Sequence, residues 1–466
     1  MKCSRSWTSP ALVFVALTAL AAADWVTTGV DTLAHAPGRR WLGIQAIVID
    51  NHGRLHACWS EAIETGRRRI VYTWKHPDSA WAVPEEVTDS AGSSPALAVE
   101  PSTGQPHIAF HWPADPQAEL HYARRTGQDW TIARLTQNSL YDVSPSISLE
   151  PDGSVHIAWV TKDSTDEFRI GYATDRSGDW QTQVLLGSEP GPFGTGAAPY
   201  MAVEQDGKAH VSYRGGDFGN YQIHHAENES AGDSSWTFEQ LSTVNLEDYS
   251  SAIACGNSGE LRLVASGNDG WGMPFRTCYL RRAAGSSTWD PYQLMTASAS
   301  AEMRGFCLDQ GDVHVAWERI NGSIATGNIW HCTNESGLWF NSALREDDQT
   351  HYAAIAVDHW HKGHCLAVSG PGLDSQYVLC IHSEPLTGME SLRPRPVPGP
   401  LLVPSLARSP VRFENPGIDI YALDGRLVHR GTGPVWDGTD LQARVLPQGT
   451  YIARLGPLSQ AFVLTR

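Results

Sequence analysis

Six histidines recur at nearly regular intervals, and clustered imidazoles would be suited to binding a metal ion. They are His56, His107, His156, His210, His314 and His364. With Arg262 in the one missing place, successive members lie 49 to 54 residues apart. One ion needs ligands at about 2 Å, whereas equivalent positions on packed sheets lie about 10 Å apart. We therefore interpret the series as structural, pointing into the layer between repeats and bonded to backbone, and we expect no metal site and no cofactor.

Paired carboxylates are the second chemistry to consider, because glycosidases use two carboxyl groups about 5 to 10 Å apart. Acidic residues are frequent in the segments that we predict to connect the repeats. They are Asp142, Glu189, Glu247, Asp248, Glu302, Asp347 and Asp348. Spacing alone selects no pair among them, so no catalytic residue is assigned from the sequence.

Aromatic and polar side chains concentrate just before the first strand of the repeats and in one longer loop of the fifth repeat. These candidate ligand-binding residues are Trp41, Tyr141, Asp142, Tyr200, Asp248, Tyr249, Trp271, Arg304, His351 and Tyr352. Aromatic planes with convergent polar groups suit carbohydrate or peptide ligands at a concave face. The alternative is that these side chains fill a narrow channel and cap strand ends.

The histidine series marks the second of four short apolar runs in each repeat. In the third repeat the runs are 145–149, 154–159 and 168–173 and a fourth that begins at Trp180. Alternation with period two, together with the Gly-bearing turn at 151–153, predicts antiparallel strands. Seven repeats of four strands predict an all-β fold, with a seven-bladed β-propeller over residues 24–383.

A propeller must close, because an unpaired edge strand invites aggregation. The seventh repeat supplies only three runs, 353–357, 365–368 and 377–381. The sequence Asp24-Trp25-Val26 matches Asp129-Trp130-Thr131, which begins the fourth run of the second repeat. We therefore predict that residues 24–31 pair with the blade that ends near residue 382.

Residues 1–23 have the pattern of a signal peptide. Lys2 and Arg5 precede an apolar segment, 11–20, and the small residues 21–23 suit cleavage. The apolar segment is too short to span a bilayer, and no later segment is a transmembrane candidate. The net charge of −17 opposes binding to nucleic acid or to an anionic membrane. We expect an exported protein.

Removing Cys3 with the leader leaves seven cysteines, all within predicted strands. An odd number leaves at least one thiol unpaired in a monomer. We interpret them mainly as small buried apolar residues, with a Cys365–Cys380 disulfide as the most plausible alternative.

Prolines dominate residues 384–410, which predicts an extended linker. Residues 411–466 are then predicted to form a small β-sandwich-like domain. Its ordered features are Tyr421-x-x-Asp424-Gly425-Arg426-Leu427-Val428, Trp436-Asp437-Gly438 and Pro447-x-Gly449-x-Tyr451. This tail resembles the C-terminal sorting domain of bacterial type IX secretion cargo, and more broadly the FlgD-like immunoglobulin-type domain. The resemblance implies secretion machinery as a partner and attachment or release at the outer cell surface.

Degenerate Asp-box hairpins occur at 174–180, 126–130 and 334–339, each ending in Trp. On these the ring resembles sialidase-type propellers with BNR-like repeats, in which the Trp packs between blades. A sialidase would need three arginines that grip the substrate carboxylate. The Arg-Ile-Pro signature of that family is absent, and Arg67, Arg68 and Arg69 fall in one predicted loop that we interpret as a solvated charge run.

A repeat scaffold without a recognisable catalytic set favours a binding function. We expect an exported, cell-surface-associated propeller that binds a glycan or protein at the rim of its channel. The alternative is a sialidase-like glycoside hydrolase or a polysaccharide lyase that uses the channel mouth.

Overall fold

The structure is a computed structural model that describes most of residues 25–385, together with seven strands between 406 and 465. Within the first range the residues not described are 38–41, 65–66, 78, 90, 114–117, 163–166, 186–198, 217–220, 229–234, 243–246, 269–275, 296–300, 310, 322–323, 335–338, 348–349 and 371–374. Among the described residues there is no helix, and so none long and apolar enough to cross a membrane.

Seven four-stranded antiparallel sheets follow one another along the chain and confirm the predicted propeller. The first described strand is β1 (Trp25–Pro37). Blade 1 consists of β2 (Leu42–Ile49), β3 (Leu55–Glu64), β4 (Arg67–Lys75) and β5 (Glu85–Glu86). Blade 2 consists of β6 (Ser93–Val99), β7 (Pro106–Pro113), β8 (Ala118–Thr126) and β9 (Asp129–Arg134). Blade 3 consists of β10 (Val143–Leu149), β11 (Val155–Lys162), β12 (Phe168–Thr174) and β13 (Gln181–Leu185).

The remaining four blades repeat the same strand order. Blades 4 and 5 consist of β14 (Tyr200–Val203), β15 (Ala209–Gly215), β16 (Gln222–Asn228) and β17 (Trp236–Gln240), and of β18 (Glu247–Cys255), β19 (Leu261–Asn268), β20 (Arg276–Arg282) and β21 (Gln293–Leu294). Blade 6 consists of β22 (Ala301–Asp309), β23 (Asp312–Asn321), β24 (Ile324–Thr333) and β25 (Phe340–Glu346). Blade 7 joins β26 (Thr350–Val357), β27 (Gly363–Ser369) and β28 (Ser375–Pro385) to β1.

The ring is closed at both its inner and its outer side. Each innermost strand contacts the innermost strand of the next blade, and β26 contacts β2. At the outer edge β1 pairs antiparallel with β28, from Trp25 opposite Pro385 to Pro37 opposite Ser375. The predicted pairing of residues 24–31 with the last blade is confirmed for the described residues, and the paired segment extends further, to residue 37.

The hydrophobic core lies between neighbouring blades. One such layer contains Cys58, Tyr72 and Leu97 with Ile108 and Phe110, so that it joins blade 1 to blade 2. Strands that are sandwiched in this way bury both faces, as the fully buried β27 does. Burying apolar surface contributes about 25 cal/mol per Å², so the interfaces between blades are the main source of stability.

The predicted glycine turns join the first and second strands of the blades. Gly207 has φ of 88°, and a Cβ there would lie 2.6 Å from a carboxylate oxygen of Glu150 in the preceding blade. Only glycine allows both this left-handed conformation and this approach of the turn to the preceding blade.

Two sequence predictions about side chains are settled by the fold. The seven cysteines lie in strands as predicted and are free thiols, Cys365 and Cys380 included. The prediction that Arg67, Arg68 and Arg69 occupy a loop was wrong, because all three begin β4. The Arg69 guanidinium donates to Glu61 at 2.9 and 3.1 Å, which makes it a paired strand residue rather than a solvated one.

The C-terminal part contains two small sheets. They are built from β29 (Leu406–Arg408), β30 (Val411–Arg412), β31 (Asp419–Ala422), β32 (Leu427–His429), β33 (Val435–Trp436), β34 (Gly449–Leu455) and β35 (Leu458–Thr465). One sheet has the order β29-β35-β34-β31-β32, and the other pairs β30 with β33. The first strand, β29, lies inside the segment predicted as linker.

Candidate functional site at the channel mouth

The innermost strands begin, and the second strands end, at one end of the ring, which we call the channel mouth. Six of the seven innermost strands have an irregularity in their pairing at this point. The shifts fall between residues 42 and 45, 93 and 96, 143 and 146, 248 and 250, 303 and 305, and 351 and 354. β-Bulges redirect side chains and are frequent next to functional sites.

Three of these irregularities hold a residue other than glycine in the left-handed region. Ser94, Ser144 and Tyr352 have φ of 51°, 53° and 56°. Such a conformation costs about 1–3 kcal/mol and persists only where the surrounding structure enforces it. Strain repeated at the same place in blades 2, 3 and 7 therefore marks the mouth as a candidate site.

Among the described residues, the group at the mouth best equipped for chemistry lies between blades 6 and 7. Nδ1 of His351 lies 2.5 Å from Oε1 of Glu318, whose side chain is fully buried on β23. The His351 side chain is 33% exposed. A carboxylate that accepts the Nδ1 proton fixes the tautomer and leaves Nε2 as the basic nitrogen. This pair can therefore accept a hydrogen bond or a proton from a ligand.

Tyr352 is adjacent to His351, with ring centroids 6.2 Å apart. It is one of the few exposed large hydrophobic side chains among the described residues, at 41%. Side chains that only fill a channel would not need a strained backbone that holds an aromatic ring in solvent beside an imidazole of fixed orientation. His351 and Tyr352 are the two predicted site residues that the structure places together with a chemical partner.

Asp142 has a supporting position instead. Its carboxylate is fully buried and accepts hydrogen bonds from Nε1 of Trp159 at 2.8 Å and from Nδ2 of Asn138 at 3.0 Å. The neighbouring Tyr141 is half-buried and packs with Val143. Asp142 is thus positioned to shape blade 3 at the mouth rather than to face a ligand.

The other predicted residues contribute less to a described site. Tyr200 is half-buried in the layers on either side of β18. Asp248 and Tyr249 lie at the start of β18, and Arg304 lies in β22, where only their backbone is described. Trp41 and Trp271 lie outside the described residues.

Sequence reasoning missed Glu318 and a second group at the mouth, between blades 1 and 2. His111 lies opposite Ser93, and Nη1 of Arg68 donates to Oγ of Ser93 at 3.4 Å. Burial, helped by the positive charge of Arg68, lowers the pKa of His111 to about 4. The available signal for Glu318 was a carboxylate directly after the apolar phrase 313–317, where a buried charge demands a partner.

The histidine series lies at the opposite end of the strands and is structural, as predicted, but the hydrogen bonds that the structure describes for it join it to side chains. His156 is fully buried, with Nδ1 2.7 Å from the hydroxyl of Tyr172 and Nε2 2.8 Å from Glu150. The ring of Tyr172 then packs edge-on against Trp236 of the next blade, at 4.9 Å. In blade 3 this acid–His–Tyr–Trp unit takes the place of the expected backbone contact and satisfies both nitrogens of the buried imidazole.

Variants of this unit occur in the other blades. His56 and His107 bond Tyr72 and Tyr122, whereas His210 and His314 bond His225 and His331. In blade 7 the Nδ1 atoms of His364 and His382 lie 2.8 Å apart. Arg262 takes the histidine's place in blade 5 and donates to Tyr279. These histidine units are part of the scaffold. The channel mouth therefore remains the candidate functional site.

Comparison with known proteins identifies the fold and no family. No protein-family model matches this chain, and no curated protein matches it. A fungal alcohol oxidase of the AA5 family, solved in complex with copper, superposes with a TM-score of 0.50 at 10% identity, over 94% of this chain and 99% of that one.

Two further structures are similar to this chain at slightly lower TM-scores. The phage phi92 endosialidase gives a TM-score of 0.47 at 10% identity, over 95% of this chain and 87% of its own. The BP39L lectin from Burkholderia pseudomallei gives 0.47 at 12% identity, over 73% and 94%. At these identities the likeness is one of fold alone, and function has to be argued from the site.

Proposed function

We propose that this protein is an exported, surface-associated propeller that binds a carbohydrate ligand at the channel mouth. The observation that carries the proposal is Tyr352, exposed at a positive φ beside His351. A sugar offers an apolar C–H face to an aromatic ring and hydroxyls to polar neighbours, so an exposed tyrosine beside a fixed imidazole suits it.

The charge of the chain favours a neutral glycan over a polyanionic one. With a net charge of −17 the protein repels polyanions at long range. Binding should therefore change little with salt concentration. A peptide or protein ligand, the other class expected from the sequence, is a separate outcome of the same experiment.

Export and surface association rest on the two ends of the sequence. The signal-peptide pattern of residues 1–23 supports export. The tail motifs support delivery to the surface by secretion machinery. N-terminal sequencing of the exported protein should begin near residue 24, and removing residues 386–466 should abolish surface attachment without preventing cleavage of the leader.

A glycan array probed with the full mature chain tests the ligand class. We expect binding to one family of neutral glycans, lost in Tyr352→Ala and retained in Tyr292→Ala. Tyr292 is the matched control because it is also exposed, at 60%, yet lies beside the outermost strand of blade 5. Binding that survives in Tyr352→Ala, or binding to displayed peptides only, would contradict the proposal.

The Glu318–His351 pair favours one second candidate, a glycan-degrading enzyme. His351 Nε2 could remove a proton from a substrate while the hydroxyl of Tyr352 protonates the leaving oxygen, which is general acid–base catalysis. The assay is product release, followed by new reducing ends for hydrolysis of the array ligand and, with uronic-acid glycans offered separately, by the ultraviolet absorbance of the unsaturated sugar that a lyase forms. Turnover that is lost in Glu318→Gln while binding persists would establish an enzyme, and the absence of turnover would leave binding alone.

A further inference from the structure

Blade 7 contains a cluster of metal-ligating side chains that the channel mouth does not use. A ring nitrogen of His364, the thiol of Cys380 and a ring nitrogen of His382 lie within 4.8 Å of one another. His364 and Cys380 are buried, and His382 is largely so. The group lies on β27 and β28, next to β1, where the ring is closed.

Hydrogen bonds to two carboxylates determine which nitrogens face each other. Nε2 of His364 lies 3.2 Å from Asp358, and Nε2 of His382 lies 2.9 Å from Asp31. With these nitrogens donating, each Nδ1 carries a lone pair, and the two Nδ1 atoms are 2.8 Å apart. Two buried acceptors at that distance repel each other unless a proton or a metal ion lies between them.

The carboxylates form the second shell that metal-binding histidines use. A ligating imidazole usually donates its other N–H to a carboxylate, which orients the ring and makes it a better ligand. Asp31 is itself fixed, because Nε1 of Trp81 donates to it at 2.9 Å and Nζ of Lys75 lies 3.4 Å away. The two imidazoles are thus oriented before any ion arrives.

Blade 7 departs from the repeat at the position of Cys380. Cys380 lies opposite Leu366, two residues beyond the marker histidine. The equivalent places in the other six blades hold Tyr72, Tyr122, Tyr172, His225, Tyr279 and His331. Blade 7 thus has a thiol where the other blades have a hydroxyl or an imidazole. His364 contacts His382 instead, which lies directly opposite on β28.

Blade 4 provides a contrast, since His210, His225 and Glu227 lie equally close together. There Glu227 is already paired, with Arg282 and with Lys208 at 3.0 Å. These two side-chain cations thus already neutralise the carboxylate of that cluster. Blade 7 has His382 where blade 4 has Glu227, and Cys380 where blade 4 has His225, so its three donor groups include no carboxylate.

We propose that His364, Cys380 and His382 bind one Zn²⁺ ion through two imidazole nitrogens and a thiolate. Nitrogen and sulfur donors of this kind are the ligands that zinc takes in proteins. The ion would link β27 to β28 and, through the carboxylate of Asp31, to β1. It would thereby stabilise the pairing on which closure of the ring depends.

The test uses the full mature chain, stripped with a chelator and titrated with Zn²⁺ or Co²⁺. We expect one equivalent of Zn²⁺ per chain, a rise in Tm that saturates at that equivalent, and a thiolate-to-Co²⁺ charge-transfer band. All three should be lost in Cys380→Ser and in His382→Gln. They should persist in the control variants Cys332→Ser, which removes another fully buried thiol, and His225→Gln in blade 4.

The proposal is overturned if the wild-type chain binds Co²⁺ without a thiolate band, or binds no ion at all. It is also overturned if Cys380→Ser binds as wild type does. Should the blade 7 variants fail to fold, a thiolate band in the wild-type chain that persists in Cys332→Ser still supports the proposal, because among the described residues Cys380 is the cysteine that lies in a cluster of three ligands.

Discussion

The indole of Trp25 lies edge-on against the imidazole of His331, with ring centroids 4.5 Å apart. Trp25 begins the strand that closes blade 7, whereas His331 belongs to blade 6. The same contact joins Trp130 to Tyr72, one blade apart, at 5.3 Å. The N-terminal strand thus supplies both the last edge of blade 7 and the aromatic contact that blade 6 would otherwise lack.

Replacing Trp25 by Ala should destabilise the ring by about 3–5 kcal/mol, the usual cost of removing a large buried aromatic side chain. Trp25 is only 2% exposed, and its backbone N–H donates to Ser342 of blade 6. Urea unfolding of the purified chain measures the change. Trp130→Ala, at a partly exposed equivalent position, should cost less, and equal losses would contradict a special role for the closing strand.

Closure of the ring could be predicted because it depends on a local pattern. Asp24-Trp25-Val26 resembles the start of other fourth strands, and the seventh repeat lacks that strand. The bonds of the histidines could not be predicted in the same way. Glu150, His156 and Tyr172 come from a turn and two strands, and only the register brings them together.

The mouth was harder to predict than the fold for a similar reason. His351 and Tyr352 were identified from their position before a strand, but Glu318 belongs to another blade. The pairing irregularity at residues 351–354 also decides which side chains face the channel. The alternation of apolar residues does not reveal where a β-bulge occurs. The sequence therefore predicts the blades but not which side chains from other blades contact the site residues.

Tyr172→Phe should destabilise the protein by about 1–3 kcal/mol, because it leaves Nδ1 of the buried His156 without a partner. The aromatic contact with Trp236 is kept by phenylalanine, so the loss isolates the hydrogen bond. Chemical denaturation of Tyr172→Phe, His156→Leu and the double variant measures it. Tyr172→Phe should cost little in the His156→Leu background, and an undiminished cost there would mean that the bond is not the cause.

His331→Tyr should make the protein less sensitive to acid. Burial lowers the pKa of His331 to about 3, so this residue stays neutral in the folded protein while it is charged in the unfolded chain below pH 6.5. Its contribution to stability is therefore present above pH 6.5 and is lost as the pH falls towards 3. Tyrosine, the residue at this place in four blades, can still bond His314 and does not titrate there.

The variant should take up one proton fewer than the unmodified chain on unfolding. Between pH 6 and 4 its free energy of unfolding should therefore fall less steeply, by about 1.4 kcal/mol per pH unit. Denaturation curves of the two proteins across that range provide the comparison. Parallel dependence of stability on pH would show that His331 is not neutral in the folded state.

Tyr352→Gly should separate stability from function. Glycine removes the strain of φ at 56° and should offset the loss of side-chain contacts, so that Tm falls little or rises. The aromatic surface offered to a ligand disappears. A thermal melt beside a binding assay tests both effects, and Ser144→Gly, at the equivalent bulge with φ of 53°, is the control that changes strain alone.

The most direct test is calorimetric titration of the full mature chain with the neutral glycan selected on the array. If the mouth binds the ligand, Tyr352→Ala should weaken affinity about tenfold or more, as expected for losing an aromatic binding hot spot worth about 2 kcal/mol or more. Tyr292→Ala should bind as the unmodified chain does. Equal affinity of all three proteins, or no heat with any neutral glycan, would contradict carbohydrate binding at the channel mouth.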